Sequence, residues 1–486
     1  MAGLNRRGTA PGRHVYDVIV VGGQLGGVIS TALFARRGLQ VLHVPHDGLA
    51  APYVHGEAKL PYAPFFLPPI KAVPAFDEVL QELGIGAAVG RAMQLVPLQL
   101  LEQDRWFEVS HDEKRRGPEL DRVFGTEAEN FDELMRKAQT AAEASDSFFQ
   151  SRPDFPPEGF FARWKFKRHV ARFPGLGLDT PLASDALVRK LTAFITSSQS
   201  PATLSRARTL GRALAGPAIF QGGKEALWQV IADRARELGA DVLAADEAVE
   251  RLVLEGSSTT GVRLTKNDTT YRAGFVVAAT DLDVLTRLVP EKQRKAAAKL
   301  LPKVAATRAL LTLNLVVPEP ALPRGLGVLA LVDAPALEGG ALLLQVSPAT
   351  QPDSRVMTIS VPAPLGLRAG GEPAIRALIA QIHAALARVM PFTRPHVTLE
   401  STPWIDAPHV VAGRAEVAPF FPVAADAWLG TSGVTTSSPW KRVVMAGRQV
   451  LPGLGFEGEV LAAQRAVKMV ETRLKKNDPL KTRKPA

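Results

Sequence analysis

YDVIVVGGQLGGVISTALFARRGLQVLHV, residues 16–44, reads as strand, glycine turn, helix and second strand. Tyr16–Val21 is a short run, almost wholly apolar, as suits a parallel strand buried on both faces. Gly22 and Gly23 break it, and Gly26 and Gly27 follow after Gln24. A helix is expected over Ile29–Arg37, closed by Gly38, before Val41–Val44 resumes as a strand. A strand that runs into glycines at a helix start brings backbone N–H groups to a diphosphate.

A second such element lies at the other end of the chain. SSPWKRVVMAGRQVLPGLGFEGEVLAAQRAVKMV, Ser437 to Val470, reads as a strand, Ala446-Gly447-Arg448, a loop holding Gly453, Gly455 and Gly458, and a long helix. Two glycine blocks at opposite ends suggest one dinucleotide site closed by both. Between them, FQGGKEALWQVIADRARELGADVLAADEAVERLVLEGSSTTGVRL, Phe220 to Leu264, gives a glycine pair, a helix and strands near Ala248–Leu254 and Gly261–Leu264.

These three blocks, in this order, resemble the flavin-dependent superfamily of phytoene desaturases, amine oxidases and Rab GDP-dissociation inhibitors. The resemblance implies an α/β fold: a discontinuous Rossmann-like FAD/NAD(P)-binding domain with an inserted α+β substrate domain. The nucleotide domain is expected from residues 16–70, 205–290 and 431–476, and the substrate domain from 71–204 and 291–430. Residues 71–205 read as mainly helical. From 291 to 430, strands are expected at Ala309–Val316, Val328–Leu331, Leu342–Val346 and Val356–Val361, then a helix over Glu372–Val389.

The resemblance also implies FAD as cofactor. Its expected contacts are Gly22, Gly23, Gln24, Gly26, Gly27, the backbone of Val249 at adenine, Gly447, Arg448, Gly453, Gly455 and Gly458. Three positions depart from the family pattern. Gln24 carries a side chain where the middle glycine lets backbone approach the pyrophosphate. Pro45 stands where a ribose-binding carboxylate is expected, with Asp47 two residues on. Arg448 stands where the family shows an aspartate.

The implied function is FAD-dependent dehydrogenation or desaturation of a hydrophobic, isoprenoid- or lipid-like substrate. The alternative is a flavin-free binding protein of the GDP-dissociation-inhibitor kind, holding a lipid group or a partner protein. No residue is assigned a catalytic role, because the flavin does the hydride chemistry in this superfamily.

With no cysteine, thiolate metal sites, disulfides and cysteine nucleophiles are excluded. The nine histidines show no metal-ligand spacing, and no nucleophile elbow appears. Residues 1–15 carry Arg6, Arg7 and Arg13 without an acid. Residues 473–486 carry six cations against Asp478, so these two ends hold +3 and +5 of the net +10. The termini are expected to be solvated basic tails (1–15 and 477–486), and nothing in the body suggests nucleic-acid binding. No signal-like or membrane-spanning run is present, so a cytoplasmic protein is expected.

One segment invites a peripheral role on the inner membrane face. Phe148–Phe173 holds Phe148, Phe149, Phe155, Phe160, Phe161, Trp164, Phe166 and Phe173, interleaved with Arg163, Lys165, Lys167, Arg168, His169 and Arg172. Aromatic rings beside cations suit an anionic headgroup layer. The competing expectation is that these rings pack into the substrate domain and leave the charges in solvent.

Overall fold

The structure is a computed structural model. It describes residues 14–476 except 48, 50, 103–104, 110–111, 152–154, 174–185, 200–201, 215, 267, 298–304, 408–415 and 424–427. Residues 1–13 of the N-terminal tail and the whole 477–486 tail lie outside the described residues.

Two sheets organise the molecule. In the first, Val15–Val21 pairs in parallel with Val41–Val44 on one side and Thr270–Ala278 on the other. Asp241–Val242 extends it beyond Val41–Val44, and Val443–Met445 extends it beyond residues 276–278 of Thr270–Ala278, all in parallel. The antiparallel strands Val249–Glu255 and Ser258–Leu264 join the opposite end of Thr270–Ala278. The C-terminal ends of Val21, Val44, Ala278 and Met445 therefore open on one edge, where an open α/β sheet forms its ligand crevice.

Because strand side chains alternate, the first strand feeds two cores. Val18 and Val20 face the helices Leu25–Arg36, Gly223–Glu237 and Gly455–Lys476. Ile19 and Val21 face the opposite layer, which includes Phe148, Phe149, Phe155 and Phe166. Leu25–Arg36 has neighbours on nearly every side and is buried from Leu25 to Ala35, which its apolar composition permits. It begins at Leu25, four residues earlier than the sequence suggests, because Gln24 serves as N-cap and both Gly26 and Gly27 are helical.

The second sheet is formed by Arg308–Pro318, Leu329–Asp333, Ala341–Pro348 and Ser354–Pro364, with Leu399–Ser401 at one edge. Gly371–Val389 covers it with Ile375, Ile379, Ile382 and Leu386, an i, i+4, i+7, i+11 stripe. All four expected strands and the helix are present here.

Residues 71–205 are mainly helical among those described, as expected, but short strands interrupt the helices. Leu98–Leu101 pairs in parallel with Leu329–Asp333, and Trp106–Val109 forms the sheet's far edge. These strands are four residues each, too short to show a period against the helices that follow. Gln99 is also misleading as a polar residue. It is buried, donating to Gly325 O at 2.8 Å and accepting from Gly327 N at 2.7 Å.

Candidate functional site

The first turn of the sheet is built without slack. Gly22 has φ of +123°, and a Cβ there would lie 2.1 Å from Ala279 O. Its carbonyl accepts a hydrogen bond from His43 Nε2 at 2.8 Å, and burial pulls His43 down to about 4, so the ring is neutral. Gly26 and Gly27 also allow close approach. Their Cβ positions would meet Ala446 O at 2.1 Å and Gly22 O at 2.8 Å. These glycines are demanded by contacts of the chain with itself.

Four of the backbone donors expected to meet a dinucleotide have partners within the protein. Gly23 N donates to Asp47 Oδ1 at 2.8 Å. Gly26 N donates to Glu459 Oε2 at 3.3 Å. Arg448 N donates to Gln24 Oε1 at 2.9 Å. Val249 N, assigned to adenine by resemblance, donates to His46 Nδ1 at 3.0 Å. His46 reaches it from a backbone φ of +28° in the loop after the second strand.

An ion pair fills the centre. Arg448 Nε and Nη2 donate to Asp281 Oδ1 and Oδ2 at 3.1 and 2.9 Å, and Gln24 Nε2 donates to the same Oδ1 at 3.0 Å. Burial works against the Arg448 charge, but Asp281, then Glu459 and Asp47, more than offset it. Lys224, on Gly223–Glu237, lies within range of the same group; burial lowers its pKa and the Glu459 carboxylate opposes that. Asp47, Asp281 and Glu459 against Arg448 and Lys224 leave a formal charge of −1 (two minus three). Asp281, Glu459 and Lys224 carried no sequence signal. Asp281 lies three residues past the end of a strand and Glu459 early in a helix, and their meeting is purely tertiary.

The fit to FAD can be judged on this geometry. A pyrophosphate brings two negative charges and needs the N–H groups at the helix start. Here Asp47 and Glu459 already place carboxylates on Gly23 N and Gly26 N. Gly22 to Gly27 and Gly447 to Gly455 are all buried among protein atoms. These residues, as arranged, do not fit the cofactor. Asp47, which the sequence left within possible reach of a ribose, instead turns onto Gly23 N.

The C-terminal glycines also pack on protein. A Cβ on Gly447 would lie 2.5 Å from Gln24 Oε1, on Gly453 2.8 Å from Ser205 Oγ, on Gly455 2.1 Å from Ile195 O, and on Gly458 2.2 Å from Leu451 O. Beside them is a cavity of about 100 Å³ lined by Phe66, Phe194, Ile195, Leu454, Phe456 and Ser205. Its polar wall is an ion-pair network: Arg208 is bidentate to Glu457 at 2.6 and 3.0 Å, and Arg212 pairs with Asp146 at 2.5 Å. Ser205 Oγ is buried without a partner among the described residues. Among the described residues no group of His, Asp and Glu is placed to hold a metal.

Asp47 makes the arrangement measurable. Burial pushes its carboxyl up to about 6, despite N–H groups that favour the charged form. The folded pKa lies above the unfolded one. Stability from the neutral form is thus full below about pH 4 and lost as pH rises through about 6. Asp47→Asn keeps an oxygen for Gly23 N and removes the buried charge. It is expected to raise stability by about 2 kcal/mol at pH 8 and to change it little at pH 4. Urea unfolding at the two pH values checks this, and equal effects at both would show that Asp47 is not strained by ionisation.

The sequence matches the model of the family described as flavin containing amine oxidoreductase over residues 91–470. The match starts after the first glycine block and includes the second. No curated protein sequence matches the chain. Solved structures share the fold at low identity. An oxidoreductase from Methanosarcina mazei is 14% identical with a TM-score of 0.56, over 94% of this chain and 100% of its own. A putrescine oxidase variant is 16% identical with a TM-score of 0.56, over 94% and 99%. Cyclohexylamine oxidase from Brevibacterium oxydans is 15% identical with a TM-score of 0.54, over 95% and 99%.

Proposed function

The chain belongs to the family of flavin-containing amine oxidoreductases, and from that premise we propose that it is a flavin-independent member, a binding protein that keeps the fold and has closed the dinucleotide site with its own side chains. One observation carries this reading. Asp47, Gln24, Glu459 and His46 each accept from a backbone N–H that the family's cofactor would need. Leaving one such buried donor unpaired costs about 1–3 kcal/mol, so a ligand must replace these contacts as well as fit the space. The ligand of this reading is a small apolar group, lodged between Phe66, Phe194 and Phe456 with Ser205 Oγ as its polar contact.

The rival reading is FAD-dependent oxidation of a hydrophobic substrate; its flavin, though not its substrate, is favoured by the family's description. A visible absorption spectrum decides between them. The purified protein is expected to be colourless, and to leave added FAD free through ultrafiltration. Flavin bands that co-purify, or FAD retained at stoichiometric level, would return the protein to the redox members of its family.

A further inference from the structure

The Phe148–Phe173 segment divides its rings between two surroundings. Phe148, Phe149, Phe155 and Phe166 are buried in the core on one face of the first sheet, not in the second sheet. Phe173 is half-buried against Phe148 at 5.5 Å, and the helix Phe160–Val170 turns Phe160, Phe161 and Trp164 outward. Phe160 is 78% exposed, Phe161 81% and Trp164 54%, and they lie at i, i+1 and i+4 on one face. Phe160 and Phe161 pack edge to face at 5.7 Å, and the Arg168 guanidinium sits 4.8 Å over the Trp164 ring. The helix contains Arg163, Lys165, Lys167 and Arg168 and no acidic residue, and Arg172 follows.

A second feature adjoins it. A cleft of about 390 Å³ is lined by Trp440, Lys441, Arg442 and Arg473, with Ser438 and Phe275, and no carboxylate lines it. Lys441 and Arg442 are exposed. The two features meet at Ser437. Its N–H donates to Glu158 Oε1 at 3.0 Å, two residues before Phe160, and its Oγ accepts from Arg473 Nη2 at 3.2 Å. The Glu158 carboxylate at this junction is engaged by that N–H. Arg442 and Val443 lie at the start of a parallel strand, so the cleft is at the opposite end of the sheet from the glycine turns.

We propose that this face docks on an anionic membrane. Phe160, Phe161 and Trp164 enter the boundary between headgroups and acyl chains, and a lipid phosphate occupies the cleft of Lys441, Arg442 and Arg473. Exposed rings on a cationic helix bury apolar area against such an interface, while Arg and Lys hold phosphate oxygens. No helix among the described residues is long and apolar enough to cross a membrane, so the contact is interfacial. The inference goes beyond the reading above and stands whether or not flavin binds.

Liposome co-sedimentation of the full chain tests it, on phosphatidylglycerol-containing and pure phosphatidylcholine vesicles, at low and high salt. Wild type is expected to sediment with the anionic vesicles at low salt and to be released by high salt. Phe160→Ser with Phe161→Ser and Trp164→Ser is expected to weaken binding about tenfold or more, because three interfacial rings are lost. Lys441→Gln with Arg442→Asn is expected to weaken it to a similar degree, about 1 kcal/mol per cation. Asparagine is chosen because Arg442 has φ of +64°. All changed residues are exposed, and unaltered thermal melts will show that the fold is kept. A full-length variant with Lys481, Arg483 and Lys484 changed to Gln measures the tail. The proposal is overturned if wild type ignores anionic vesicles, if either ring or cleft variant binds as wild type does, or if the tail variant alone abolishes binding.

Discussion

Arg448→Ala is expected to lower the stability of the folded chain by about 3–5 kcal/mol, the usual loss when one partner of a buried ion pair is removed. Arg448 and Asp281 have side-chain exposures of 10% and 3%. Without the guanidinium, Asp281 keeps only the Gln24 amide as a side-chain donor, and its charge remains buried beside Asp47 and Glu459. The Glu416 carbonyl also loses the Arg448 Nη2 donor. A double variant separates this account from simple loss of bulk. Arg448→Ala with Asp281→Asn removes the stranded charge and is expected to recover about half of the loss, because a neutral amide costs far less to bury than a carboxylate. Urea denaturation of the two single variants and the double gives the coupling directly. Additive losses would mean that the pair is not coupled, and that the centre of the crevice is not closed in the way described.

The same result bears on what a sequence motif can reveal. The strand–glycine–helix units at 16–44 and 443–470 were legible because buried parallel strands are continuously apolar and glycine interrupts them. The element order of the second sheet was legible for a similar reason, since its strands run up to eleven residues. Leu98–Val109 was not, because two four-residue strands carry no measurable period. At the site, the departures at Gln24, Pro45 and Arg448 were visible as letters, but their meaning was not. Whether Gln24 lines a cofactor site or plugs one depends on Asp281, which is 257 residues away and meets it only through the fold. Arg448 likewise reads as a cofactor contact until Asp281 is placed against it. Phe148–Phe173 holds eight aromatics that their order alone does not sort. Helical spacing sorts them once the helix bounds are known, with Phe166 inward and Phe160, Phe161 and Trp164 outward.

Gly26→Ala is expected to be among the most damaging single-methyl additions available in this chain, lowering stability by about 3 kcal/mol or more. Ordinary overpacking in a core costs about 1–3 kcal/mol because side chains can yield. Here a Cβ would lie 2.1 Å from Ala446 O and 3.3 Å from both Ala446 C and Glu459 O, and every one of these is a backbone atom. Relief requires moving the Leu25–Arg36 helix away from the Val443–Met445 strand end and the Gly455–Lys476 helix. That movement would also pull Gly26 N off Glu459 and Gln24 off Arg448. Gly90→Ala is the matched control. Gly90 is helical, exposed and has nothing within 4 Å of its Cβ position, so alanine there should stabilise by about 0.5–1 kcal/mol through helix propensity. Thermal and urea unfolding of both variants measure the contrast. A large loss at Gly26 in protein free of flavin would show that the glycine answers to the packing of the chain on itself, so that retention of the motif says nothing about whether a dinucleotide binds. If Gly26→Ala unfolds no more readily than wild type, the helix and strand do not approach as closely as described, and the crevice has room that a ligand would fill.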